Sequence, residues 1–352
     1  MKTVRVCFVG FWEGFDIRNN IISNILYKHY NVVIDPVTPE YVICSMFGTP
    51  YAYCNYDAIR IFCSGENFSP DFNVVDYAIG YDPLVYGDRY FRRIFIPMEY
   101  DKKKYNNLID QLLDKPNMVS DNILEEKKGF CNLIYSHERD DGKRKEIYEI
   151  LSQYKHVDSA GSYINNMDNN QIITREGKLE FQSNYKFSIA FESVNMRGFF
   201  TEKIIDAFLA NSIPIYLGDP EIKKIFNEKA FINCADFKNI NELLDRIKEI
   251  DQNDTLYMQI LKEPIFSEKI NLDHFEENFE KFICNIFDQN IEDAYRRGRG
   301  PKGGMVYSHD KRLQNYAELE QKAEPHSIAY YIYVKLRVFG SKVKHFIKND
   351  VK

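Results

Sequence analysis

The sequence predicts an α/β protein with parallel sheets and two domains. Three observations carry this. The chain has 352 residues, enough for about two domains. Its first hundred residues alternate short apolar runs with an amphipathic stretch. Residues 187–218 read as strand, loop, helix and strand, a right-handed βαβ unit whose loop lies at the carboxyl edge of a sheet, where such folds bind ligands.

In chain order, Val4 to Val9 is a strand ending at Gly10, and Asn19 to Tyr27 is helical. Val32 to Asp35, Tyr41 to Cys44 and Ala58 to Cys63 are apolar strands, the last closed by the turn Ser64-Gly65-Glu66-Asn67. Tyr77 to Ile79 and Arg93 to Ile96 complete a first domain, residues 1–125. Residues 101–129 are polar and charged and hold the inter-domain connection. The second domain, 126–290, opens with strand Phe130 to Tyr135 and a helix from about Arg144 to Tyr154, followed by a small-residue strand and turn, Val157 to Ser162. Phe231-Ile232 is its last strand, and helices near 240–250, 254–262 and 273–288 close it. Residues 291–352 are a flexible basic linker, Tyr295 to Gly304, and a tail.

Within the central unit, Phe187 to Phe191 has the length of a buried strand, and Glu192 to Phe200, with Asn195 and Gly198, is irregular. Thr201 caps a helix whose Ile204, Ile205, Phe208 and Leu209 share one face. Asn211-Ser212 ends it, and Pro214 opens strand Ile213 to Leu217. Glu202 suits the positive end of the helix, but Lys203 does not. A cation there makes sense if an anion docks on the first-turn amides; otherwise it is a solvated lysine.

Composition is ordinary for a globular protein, 44% hydrophobic and 28% charged. The 25 Tyr and 26 Phe fit either carbohydrate contacts or a codon bias, which a low-GC gene would show. Seven cysteines are scattered without any Cys-x-x-Cys, most in apolar runs, which reads as buried free thiols in a reducing compartment. Met1 to Gly10 is too short an apolar run for a signal peptide, and no run of about 18 apolar residues spans a membrane. The chain carries −6 overall, yet residues 326–352 hold six cations against Asp350 alone. An acidic body with a basic tail is not a nucleic-acid footprint. From about His326 to Ile347 the tail spaces Ile328, Ile332, Leu336, Phe339, Val343 and Phe346 three and four apart. Such a helix either lies on an anionic membrane face, at about 1 kcal/mol per basic residue, or packs on protein.

Phe191-Glu192, Thr201-Glu202-Lys203 and Ile213-Pro214-Ile215-Tyr216-Leu217-Gly218 together resemble the donor-binding segment of the bacterial α-1,3/4-fucosyltransferase family. Ser193-Val194 stands where that family has Asn-Ser, and Phe199 where its bacterial members often carry Tyr. Ser64-Gly65-Glu66-Asn67 is similar to the family's Gly-Glu-Asn segment, and Arg144, with Tyr148 and Leu151, to its Arg-x-x-x-Tyr-x-x-Leu helix start. The resemblance implies a GT-B fold: two Rossmann-like domains facing across a cleft, the first binding acceptor and the second GDP-fucose. It implies inverting α-1,3-fucosylation of the GlcNAc or Glc of a galactose-terminated glycan, building Lewis-type surface polysaccharide. Alternatives are an α-1,4 linkage, another sugar nucleotide, or a non-catalytic glycan- or nucleotide-binding protein.

In the roles so implied, Glu66 is the base that takes the acceptor proton, and Lys203 and Arg144 hold the diphosphate. Glu202 bonds the ribose or orients Lys203, and Glu192 is an alternative base or fucose-hydroxyl acceptor. Ser193, Phe199 and Thr201 complete the donor set. The sequence has no Asp-x-Asp and no paired histidine ligands, so no obligatory metal or other cofactor is expected. The expected place is the cytoplasm, either free or peripherally on the inner face of the plasma membrane.

Overall fold

The computed structural model describes residues 1–94, 102–139, 141–268, 270, 274–298 and 304–322. The expected tail helix from about His326 to Ile347 lies outside the described residues.

The first body is a six-stranded sheet, β1 (Thr3–Val9), β2 (Asn31–Ile34), β3 (Tyr41–Cys44), β4 (Ile59–Cys63), β5 (Tyr77–Gly80) and β6 (Tyr90–Arg92), in the order β2-β1-β3-β4-β5-β6. Every pairing is parallel. β3, β4 and β5 are buried at each residue, which is why they read as unbroken apolar runs rather than alternating ones. The strand expected at Arg93 to Ile96 instead ends at Arg92; Arg93 and Ile94 follow it, and 95–96 lie outside the described residues. Helix α1 (Ile21–His29) covers one face, its start held by Asn20, whose side chain accepts from the Ile22 and Ser23 amides.

The second body opens with helices, α2 (Lys102–Met118) and α3 (Ile123–Glu126), where the sequence predicts a connection. Polar composition hid a helix with one apolar face: Leu108, Ile109 and Leu112 lie three and four apart, and Leu112 packs with Phe200, Ile204 and Phe208. Val119 and Ile123 join the core of the second sheet. The expected boundary at 125 is corrected accordingly, since α2 and α3 pack on the second body. That body continues through β7 (Gly129–Leu133), α4 (Lys143–Tyr154), β8 (Val157–Ser159), α5 (Lys178–Ser183), β9 (Tyr185–Phe191), α6 (Glu202–Leu209), β10 (Ile213–Leu217), β11 (Ile232–Asn233), α7 (Ile240–Gln252) and α8 (Asp254–Leu261). Its strands run β11-β10-β9-β7-β8, all parallel.

The chain then returns. Helix α9 (Phe275–Asp288), expected to close the second domain, packs on the first: Phe279, Ile283, Ile286 and Phe287 are fully buried against Tyr41, Ile59, Ile61 and Tyr77. Helix α10 (Ile291–Ala294) stays there with Ala294 buried. The expected flexible linker is anchored at its start, where the Arg296 and Arg297 amides donate to Asp76 Oδ1 at 2.8 and 2.9 Å. Helix α11 (Met305–Lys322) straps the same body, Asp310 meeting the buried Arg60 guanidinium at 2.7 Å.

Strand order reverses between β1 and β3 in one sheet and between β7 and β9 in the other. Ligand crevices form at the carboxyl ends of strands at such points.

Candidate active site

β9 ends in the fully buried Phe191 and Glu192, and the chain returns through an irregular loop to Thr201 at the start of α6. Thr201 occupies the cap position, but its hydroxyl makes no cap bond to the helix. It is taken by Glu192 instead: Thr201 N donates to Glu192 Oε1 at 2.8 Å, and Thr201 Oγ1 to Oε2 at 2.8 Å. Lys203 Nζ donates to Thr201 Oγ1 at 2.8 Å and lies 3.3 Å from Glu192 Oε2 and 3.4 Å from Glu202 Oε1. The strand-end carboxylate therefore orients the helix-start cation. Close backbone passage allows it, because a Cβ on Gly218, after β10, would come 2.6 Å from Glu192 Cγ.

Burial pushes the Glu192 carboxyl up, opposed by Lys203 and the Thr201 bonds. Burial would lower the Lys203 ammonium, but Glu192 and Glu202 outweigh it and hold it raised. The two lie 3.3 Å apart as an ion pair. Burial acts upward on Glu202 too, but Lys203 and Lys178 outweigh it and keep its carboxyl low. Glu202 and Ser193 are exposed at the mouth of this cluster.

Arg144, expected on the diphosphate, is buried, donating to His137 O at 2.6 Å and Phe191 O at 3.0 Å with its guanidinium 3.9 Å over the Tyr135 ring. It ties the loop after β7 to the end of β9. Beside it, Arg139 was not foreseen from sequence. It forks onto Asp141 at 2.9 and 3.0 Å, donates to Glu192 O and reaches Asn195 Oδ1 at 3.0 Å. The only available signal was its place in the charged run between strand and helix, Ser136 to Lys143.

Glu66 follows β4 on the facing body, on a turn where Ser64 Oγ donates to Glu66 O at 2.8 Å. It is exposed, yet burial along the cleft pushes its carboxyl up; Lys203 lowers it, and Glu202 and Glu192 raise it. Glu66 is thus in the field of the cluster on the other body. The bodies touch beside it. Phe199, expected at the donor, is buried with its ring 4.7 Å from that of Tyr81, whose hydroxyl accepts from Phe68 N at 2.6 Å. Gly198 has φ +83°, its amide donates to Asp219 Oδ1 at 2.9 Å, and a Cβ there would come 2.6 Å from Tyr81 O. Asp219 is a second residue that the sequence did not single out. Among the described residues, no group of three His, Cys, Asp or Glu could hold a metal ion, and no helix is long and apolar enough to cross a membrane.

Two doubly wound parallel sheets, each with its strand-order reversal at a carboxyl edge, give the GT-B fold of glycosyltransferases. The model of the Alpha-(1,3)-fucosyltransferase FucT N-terminal domain matches residues 6–98, and that of the Glycosyltransferase family 10 (fucosyltransferase) C-term matches 124–296. The chain belongs to this family of fucosyltransferases. It is 32% identical over 295 residues to Alpha-(1,3)-fucosyltransferase FucT of Helicobacter pylori, covering 74% of this chain but spanning 60% of that protein. The crystal structure of an alpha1,3-fucosyltransferase superposes with a TM-score of 0.66 at 28% identity, over 85% of this chain and 93% of that one. The crystal structure of an alpha1,3-fucosyltransferase with GDP-fucose gives 0.64 at 26%, over 85% and 94%.

Proposed function

We propose that the chain transfers fucose from GDP-fucose, with inversion, to the 3-hydroxyl of the GlcNAc or Glc in a galactose-terminated glycan. What supports this reading is the Glu192–Thr201–Lys203 cluster at the start of α6, whose charges act on the Glu66 carboxyl of the other body. In the reaction, Glu66 takes the proton of the acceptor hydroxyl as its oxygen bonds to the anomeric carbon from the face opposite the diphosphate. The bond from that carbon to the phosphate oxygen breaks, and GDP leaves with the electron pair. Lys203 and the first-turn amides of α6 meet the charge that develops there, and no obligatory metal is needed in this scheme. Arg144 and Arg139 act behind them, holding the loops after β7 and β9. In this scheme Glu202, exposed beside Lys203, bonds the ribose, and Ser193, exposed at the loop mouth, the donor.

The test is GDP release from GDP-fucose with N-acetyllactosamine, with the product linkage read by NMR. Release no faster than without acceptor would remove the transfer reading for that acceptor, and a 1,4 linkage would correct the regiochemistry. We propose further that the product is Lewis-type surface polysaccharide and that the basic tail holds the enzyme on the inner membrane face. Loss of vesicle binding when residues 323–352 are removed checks the latter.

A further inference from the structure

The carboxyl edge of the first sheet carries an aromatic cluster that the scheme above does not use. It sits at the reversal between β1 and β3. After β1, Phe11 and Phe15 stack at 4.1 Å, and Trp12 lies edge to face with Phe15 at 4.8 Å and with Phe47, after β3, at 5.7 Å. Trp12 is the chain's only tryptophan and keeps 36% of its surface in water. The loop is built to hold it there. Gly10 takes φ +74°, a Cβ on it would come 2.6 Å from Ser45 O, and its carbonyl accepts from Phe47 N at 2.8 Å. Ser45 Oγ in turn donates to Cys63 O at 2.8 Å, at the end of the strand that leads into Glu66. Trp12 and Glu66 therefore leave the sheet on loops braced to each other, two strands apart, or roughly 10 Å at the usual strand spacing. The other loops of this edge also expose apolar surface, Phe68 after β4 and Val85, 94% exposed, after β5. Exposed apolar groups on several loops of the edge that carries Glu66 mark a ligand surface.

The geometry points to Trp12 as the platform for the terminal galactose of the acceptor. This rests on the transfer reading and names its specificity element. The sugar that receives fucose must have its hydroxyl at Glu66, so the galactose beside it falls one ring away, and a ring stacked at aromatic contact distance spans the rest to a loop two strands over. The chemistry fits as well. The axial 4-hydroxyl of galactose leaves C3–H, C4–H and C5–H together on the opposite face, an apolar patch with slightly positive hydrogens. An indole face is apolar, carries negative quadrupole charge, and is already ordered here by two neighbouring rings.

A single tryptophan makes the test direct. Lactose or N-acetyllactosamine titrated into the full chain should shift its indole emission saturably, and N-acetylglucosamine should not. In kinetics, Trp12→Ala should raise KM for N-acetyllactosamine about tenfold or more, the equivalent of a lost aromatic contact. KM for GDP-fucose and for the monosaccharide acceptor should stay within about twofold, and Trp12→Phe should recover part of the loss. A chain that transfers to no acceptor but whose emission responds to lactose sinks the transfer reading and keeps the platform. Active enzyme with a flat titration, or equal KM losses for disaccharide and monosaccharide, overturns the platform and keeps the transfer reading.

Discussion

Lys203 Nζ lies 3.3 Å from Glu192 Oε2, and that carboxylate has no surface in water. A buried anion dedicated to one cation fixes where the ammonium points and keeps it charged. Removing either partner should therefore show at the donor. Lys203→Ala is expected to weaken GDP binding and lower kcat/KM by about 10²-fold or more, the usual scale for one donor to a developing anion. Glu192→Gln keeps the shape but not the charge, and should raise the dissociation constant for GDP about tenfold by calorimetry. Unchanged GDP affinity in both would refute the phosphate role.

Glu66 works as a base only when ionised, and burial raises its carboxyl. The acidic limb of kcat/KM should therefore lie above the ordinary glutamate value of about 4.3, with activity falling as pH drops through it. Lys203 acts to lower that carboxyl, so Lys203→Ala should move the limb higher still. Glu66→Gln should cost about 10²-fold or more in kcat with GDP affinity intact. Loss of GDP binding in Glu66→Gln would show that the residue does something else.

Gly198, beside Phe199, is a residue at which the second body meets Tyr81 and Arg92 of the first. Alanine there takes a left-handed backbone and a Cβ 2.6 Å from Tyr81 O. Gly198→Ala should cost about 1–3 kcal/mol of stability, read from denaturant midpoints, and raise KM for both substrates as the bodies are wedged apart. A variant with native stability and kinetics would mean that the contact gives way freely.

Arg60 is 2% exposed and depends on Asp310 of α11 for its counter-charge. Asp310→Ala should cost roughly 3 kcal/mol, toward the lower end for a broken buried pair because Asp310 is partly in water. The double variant Arg60→Met, Asp310→Leu should recover much of it. A drop in melting temperature equal to that of an exposed surface substitution would place the strap outside the fold's energetics.

The proposed scheme gives charge neutralisation to protein cations alone. Activity should persist after exhaustive treatment with EDTA, within about twofold. Loss on chelation and return with Mn²⁺ or Mg²⁺ would require a metal on the diphosphate.

What the sequence makes legible follows from how locally each feature is determined. β9, α6 and β10 are readable because buried parallel strands are continuous apolar runs and Ile204, Ile205 and Phe208 repeat at helical spacing. Lys203 stands out because it contradicts the helix dipole within one turn. Arg139 does not, since its partners Glu192 and Asn195 lie 53 and 56 residues away and only the sheet brings them together. Thr201 reads as a cap because its actual partners, Glu192 that accepts its hydroxyl hydrogen and Lys203 that donates to its oxygen, show only once the loop closes. The apolar stripe of α9 announces a buried face without naming the sheet that buries it, so its return to the first body is not legible in the sequence.

That return has a consequence for anyone who would dissect the enzyme. The first body takes α9 and α10 from beyond the second in the chain, whereas α2 and α3, which directly precede β7, pack on the second. A fragment ending before Phe275 would leave Tyr41, Ile59 and Tyr77 bare to solvent and should precipitate. A chimera exchanging first bodies between relatives must transplant the C-terminal segment along with the N-terminal one.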